Sequence, residues 1–204
     1  ADNIDASASS AVLSVTAEAE DLSATDTVKG GTGSSDSITL TVDDTTATTT
    51  LMTGIETITV KYAANLGIGI TMGDNDTQIA AGKTLTVDAS ALSETDEAFT
   101  FTGSASELDG FLSITGGTAA DTITGAADND TISGGSGADS ITGGKGADSL
   151  TGGAGADIFV YSAVNQSTTN STDNITDWTT GTDKLNVTLD YSSISTAVDV
   201  NAVI

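Results

Sequence analysis

The sequence predicts an all-β fold of short strands, a sandwich or a solenoid, and three observations carry that reading. Apolar residues alternate with Thr and Ser in brief runs, as half-buried strands require, and Gly and Asp cluster between the runs. Only eight aromatic residues stand among 204, which suits thin layers of small β-formers better than a thick core. The helices that a doubly wound parallel sheet would need between its strands are missing from the pattern.

Taken in order, the first 115 residues form a Ser/Thr-rich β region. One weak helix is expected over Ala11 to Leu22, with Glu18, Glu20 and Asp21 as its solvated face. Strands are then expected at Ile38, Leu40 and Val42; at Ile58, Val60 and Tyr62; at Ile68, Ile70 and Met72; at Leu85 and Val87; at Phe99 and Phe101; and at Leu112 and Ile114. Turn formers separate them at Gly30-Gly31, Asp43-Asp44, Gly73-Asp74-Asn75-Asp76, Ala81-Gly82 and Gly103. Residues 116–160 form a second region and 161–204 a closing segment.

Composition excludes much chemistry. The chain has no His, Cys or Pro, and five Lys stand against 29 acids for a net charge of −24. A Ser-His-Asp triad, a Cys nucleophile and His- or thiolate-held metals are therefore absent from this sequence. No basic patch exists to meet a phosphate backbone or an anionic lipid, so neither nucleic acid nor membrane insertion is expected. The acids show no cluster of Trp and Tyr around an isolated pair, as a sugar-cleaving cleft would, and no enzyme activity is expected.

Residues 116–160 divide without a gap into five nonapeptides: GGTAADTIT, GAADNDTIS, GGSGADSIT, GGKGADSLT and GGAGADIFV. Asp121, Asp130, Asp139, Asp148 and Asp157 hold the sixth place, and Ile123, Ile132, Ile141, Leu150 and Phe159 the eighth. A flexible glycine linker would not keep an acid and an apolar residue in nine-residue phase. The first six residues of each unit make a glycine turn and the last three a short strand whose eighth residue points inward. Stacked at about 4.8 Å, the turns would align carboxylates that repel unless a hard, oxygen-seeking cation lies between them. Calcium fits, because it accepts six to eight oxygens from carboxylates and carbonyls in flexible geometry.

These nonapeptides resemble the RTX calcium-binding β-roll of bacterial proteins exported by type I secretion. The resemblance implies a right-handed parallel β-roll, two nonapeptides per coil, with calcium between one turn and the turn two repeats later. It also implies at least three ions. The first would join Gly116, Thr118 and Asp121 to Gly135, Gly137 and Asp139. The second would join Gly134, Ser136 and Asp139 to Gly153, Gly155 and Asp157. On the opposite side, Gly125, Ala127 and Asp130 would meet Gly144, Gly146 and Asp148. Ala119, Ala126 and Asp128 depart from the glycine pattern, but at places those sites do not use.

The segment after the repeats, Asp157 to Tyr161, Asp173 to Trp178 and Gly181 to Leu185, resembles the closing segment of the same family, with Trp178 where Phe is usual. Phe159, Tyr161 and Trp178 would seal the last coil, and Asp173 or Asp177 would complete a terminal half-site with Asp157. Upstream, Gly54 to Val60, Leu85 to Leu92 and Phe101 to Gly103 resemble phrases of bacterial surface-layer (S-layer) proteins that carry RTX repeats. The run from Gly30 to Ile38 has one residue too many before Asp36 to match the nonapeptide. Together the resemblances imply a secreted, calcium-dependent structural protein of the bacterial cell surface. Its partners would be copies of itself in a lattice or oligomer, the type I secretion machinery, and a cell-surface glycan or lipopolysaccharide. The alternative is a calcium-folding, secretion-supporting module of a secreted enzyme, toxin or adhesin.

Overall fold

Each run of alternating Thr and aliphatic residues becomes a strand that pairs in parallel with the run one coil later. A computed structural model describes residues 3–18, 27–32, 35–42, 52–62, 68–72, 79–105, 110–163 and 165–188. One eight-stranded sheet is built, in spatial order, from β2 (Ser14–Glu18), β4 (Ser37–Val42), β6 (Thr57–Tyr62), β8 (Thr84–Asp88), β10 (Phe111–Thr115), β12 (Thr131–Ser136), β14 (Ser149–Ala154) and β16 (Asn174–Ile175). A six-stranded sheet follows the order β7 (Ile68–Thr71), β9 (Phe99–Thr102), β11 (Thr122–Thr124), β13 (Ser140–Thr142), β15 (Ile158–Tyr161) and β17 (Lys184–Val187). A small third sheet holds β1 (Asn3–Asp5), β3 (Thr27–Lys29) and β5 (Met52–Thr53). From β6 onward the chain alternates between the two large sheets, which makes a parallel β-solenoid with no helix among the described residues.

The register stacks like on like. On the larger sheet Val15, Ile38, Ile58, Val87, Ile114, Ile132, Leu150 and Ile175 lie one above another. On the other sheet Ile70, Phe101, Ile123, Ile141, Phe159 and Leu185 do the same. Apart from Leu185, which is exposed at the C-terminal end, and Val15, which packs half-buried against the rest, both columns turn inward and form one continuous core. Pairing crosses residue 116 without a break, since β10 pairs with β8 before it and β12 after it. Phe159 and Trp178 pack with ring centroids 6.1 Å apart near the C-terminal end, where Tyr161 is buried too.

The expected helix over Ala11 to Leu22 is replaced, where it is described, by strand β2. Val15 and Ala17 lie opposite Ile38 and Leu40 and pack against the core, and β2 pairs the edge of β4 that a helix would leave bare. Ala19 to Leu22 lie outside the described residues, as do the expected turns Asp43-Asp44 and Gly73 to Asp76.

Candidate calcium site

Every sixth-place aspartate ends a turn just before a strand, and its side chain folds inward rather than to solvent. Asp121, Asp130, Asp139, Asp148 and Asp157 are all at most 2% exposed. One carboxylate oxygen of each ties two coils together. Asp139 Oδ1 accepts the N–H of Asp121 at 2.8 Å and Asp157 Oδ1 that of Asp139 at 2.9 Å. Asp148 Oδ1 accepts the N–H of Asp130 at 2.9 Å, while Asp121 and Asp130 accept from Phe99 and Leu112 in the coil before. The result is two ladders of carboxylates, one along each large sheet.

The second oxygen divides the repeats. Asp121 Oδ2 accepts the N–H of Gly117 and Asp130 Oδ2 that of Ala126, each at 2.7 Å, so both acids are satisfied within their own turns. In the last three repeats the second- and fourth-place glycines take positive φ, from 100° at Gly153 to 151° at Gly155. Here Oδ2 of Asp139, Asp148 and Asp157 is buried with no hydrogen-bond partner. An L-residue would resist that backbone and also collide, since a Cβ at Gly135 would strike Gly117 O and one at Gly144 would strike Ala126 O.

The sequence-predicted ligands are brought together turn on turn. The turn of Gly116, Thr118 and Asp121 stacks on that of Gly134, Gly135, Ser136, Gly137 and Asp139, and this on the turn of Gly153, Gly155 and Asp157. Gly125, Ala127 and Asp130 stack likewise on Gly144, Gly146 and Asp148. Two inter-turn hydrogen bonds fall on carbonyls outside the predicted set, Ser136 N–H donating to Gly117 O at 2.9 Å and Lys145 N–H to Ala126 O at 3.1 Å, whereas the pairing of β12 with β14 takes in Gly135 and Gly153 of that set.

A buried anionic oxygen without a partner is costly, and a hard cation supplies the missing interaction. The orphaned oxygens beside glycine turns therefore fit calcium. Among the described residues no three acidic side chains converge, so a cation here draws most of its shell from backbone carbonyls.

Burial is the first cause that pushes these carboxyls above their usual range. Asp130 and Asp139 rise to about 7 and Asp148 to about 8; neighbouring acids of the ladder add to the rise at Asp139 and Asp148, and Asp128 of the same turn adds to it at Asp130. Asp121 and Asp157 also shift upward, again chiefly through burial. Ionising them in place demands a compensating charge.

Several acids take places that spacing did not give them. Asp36, despite its extra residue, is fully buried and satisfied like Asp121: Oδ1 accepts from Leu13 N–H at 2.7 Å and Oδ2 from Gly31 N–H at 2.6 Å. Glu56 continues that ladder by accepting the Asp36 N–H at 2.7 Å. Glu97, wholly buried, was not singled out either, and its Oε1 lacks a partner. The expectation that Asp173 would meet Asp157 is corrected. Asp173 Oδ1 accepts from Asp148 N–H at 3.0 Å, because β16 joins the larger sheet, and Asp183 stacks on Asp157 instead. Asp177 lies near Asp157, but its oxygens accept the N–H groups of Gly152 and Gly153.

A parallel β-solenoid with buried aspartates at glycine turns defines the class as a calcium β-roll. Residues 97–202, just over half of the chain, match the family described as Peptidase M10 serralysin C terminal, and the chain belongs to that family. Domains of this kind are RTX-type calcium-binding β-rolls of secreted proteins, and they form the non-catalytic C-terminal part of those peptidases. No curated protein and no solved structure matches the chain.

Proposed function

We propose that this chain is a calcium-folded structural protein of the bacterial cell surface, an S-layer component or close equivalent, that assembles with copies of itself after export and is not an enzyme. The observation that supports this most is the continuity of the larger sheet. The described residues before Gly116 are further coils of one solenoid, stacked in register from β2 to β10, as a scaffold requires. At least three ions would lie between the stacked turns, with Asp121 and Asp139, Asp139 and Asp157, and Asp130 and Asp148 as the paired carboxylates. Affinities of roughly 10⁻⁴–10⁻³ M, usual for extracellular calcium modules, would leave the repeats open for threading inside the cell and closed outside it.

Calcium titration followed by circular dichroism and light scattering tests the reading. Gain of β structure together with large ordered assemblies supports it, and Asp139→Ala, which damages two sites, should suppress both. Folding into a monomer that never assembles rejects the lattice role and leaves the calcium-folding module of a larger secreted protein. Full β structure in excess chelator removes calcium as the switch.

A further inference from the structure

We infer that Glu97 holds a hard divalent cation of the calcium class where the last irregular coil meets the first repeat, between the turn of residues 89–98 and that of residues 116–121. The site rests on the reading that this solenoid takes up calcium, and it uses an acid that no nonapeptide contains.

The observation behind it is an acid out of step with the ladder. In the repeats each ladder aspartate accepts the N–H of the residue that occupies its place one coil earlier, and for Asp139, Asp148 and Asp157 that residue is another aspartate. Above Asp121 it is Phe99, which donates to Asp121 Oδ1 at 2.8 Å, so the ladder gives way there to an apolar side chain. The acid this coil buries instead is Glu97, two residues earlier and one methylene longer, and it is fully enclosed. Its Oε2 accepts the Glu94 N–H at 3.1 Å, while its Oε1 has no hydrogen-bond partner. An orphaned carboxyl oxygen at that depth is costly unless a cation supplies the contact that water does not.

The surroundings supply the rest of a shell. The segment from Glu94 to Phe99 is fastened to the first repeat at both ends, since the Thr118 hydroxyl donates to Glu94 O at 3.2 Å and Phe99 N–H to Asp121. Glu97 lies between the two fastenings. Thr118 N–H also donates to Leu92 O at 3.0 Å. A Cβ at Gly117 would lie 2.7 Å from that same carbonyl oxygen, so glycine is what lets the two turns approach this closely. Leu92 and Ala119 are each 2% exposed and keep water from the gap. The candidate ligands are Glu97 Oε1, the Thr118 hydroxyl and main-chain oxygens of the two turns, an irregular all-oxygen mixture that calcium accepts more readily than magnesium. The exposed acids Glu94 and Asp96 on the same turn add a local negative field that draws a cation in.

Native mass spectrometry of the full chain at saturating calcium tests the site by counting ions. Glu97→Gln should carry one ion fewer than the wild type, and Glu94→Gln, which removes an exposed acid from the same turn, the same number. Equal counts in wild type and Glu97→Gln overturn the site, whereas a wild type without bound calcium overturns the calcium reading beneath it. Should Glu97→Gln fail to fold by circular dichroism, Thr118→Val takes its place, because it removes the hydroxyl and keeps the backbone. At calcium that just saturates the wild type, Thr118→Val should lack that ion, and an unchanged count rejects the site.

Discussion

Before Gly116, one coil climbs to the next in 20 residues between Ile38 and Ile58 and in 31 between Ile70 and Phe101, while in the repeats the climb is always 18. The two regions also fill their interiors differently. Of the upstream strands, β4 and β6 to β10 bury two large apolar residues each, such as Ile38 with Leu40, Phe99 with Phe101, and Leu112 with Ile114. The repeat strands bury one, Ile123, Ile132, Ile141 or Leu150. A buried side chain of this size is worth about 1.5–3 kcal/mol, so each repeat strand forgoes that much. The carboxylates complete the contrast, because Asp36 is satisfied by backbone N–H groups while Asp139, Asp148 and Asp157 each keep an orphaned oxygen. Upstream coils rest on apolar burial and hydrogen bonds, whereas the later repeats leave a share of their stability to an ion.

The sharpest way to break this comparison is to remove calcium. Hydrogen exchange in excess chelator should lose protection at Asp139, Ser140 and Ser149 while Ile38, Thr59 and Thr86 stay protected; equal loss in both regions would erase the distinction. Acid should come next. With folded values near 7 for Asp130 and Asp139 and near 8 for Asp148, against 3.8 unfolded, the folded state holds the extra protons. Calcium-free stability is therefore greatest below about pH 4 and falls as pH rises towards 8, with protons standing in for the cation. Thermal melts in chelator across that range check the sign, and a rise of melting temperature with pH would contradict it.

Smaller effects sharpen the comparison at single residues. Phe159→Ala removes a fully buried ring from the thin end of the core and should cost about 3–5 kcal/mol in calcium-saturated denaturant melts. Gly135→Ala forces an L-residue to φ 104° against Gly117 O, and a loss of about 1–3 kcal/mol is expected. Gly82→Ala, at φ 67° with nothing within 4 Å of the new methyl, should lose only about 1–2 kcal/mol, and this smaller loss isolates the packing part.

Much of this was legible in the residues. The alternation at Ile38 to Val42, Ile58 to Tyr62 and Leu112 to Ile114 becomes strands because period-two patterning fixes which face can be buried. The nine-residue phase of Asp and Ile places both on stacked positions whatever the rest of the chain does. The misreading at Ala11 to Leu22 has a local cause: Ala and Glu favour helix, and only pairing with β4 turns Val15 and Ala17 into a strand. Asp36 was obscured by one additional residue before it, although its hydrogen bonds match those of Asp121.

The sequence by itself determined the repeat, the two acid ladders and the preference for a hard cation, because in a strict nine-residue period residues two repeats apart superpose once two nonapeptides make a coil. Tertiary structure decided which acids keep an oxygen free. That depends on whether a particular N–H, such as Gly117 beside Asp121 or Thr179 beside Asp183, lies within hydrogen-bond reach. It also decided that Asp173 follows Asp148 rather than Asp157, because the irregular 25-residue path from Leu150 to Ile175 carries no period that spacing could read.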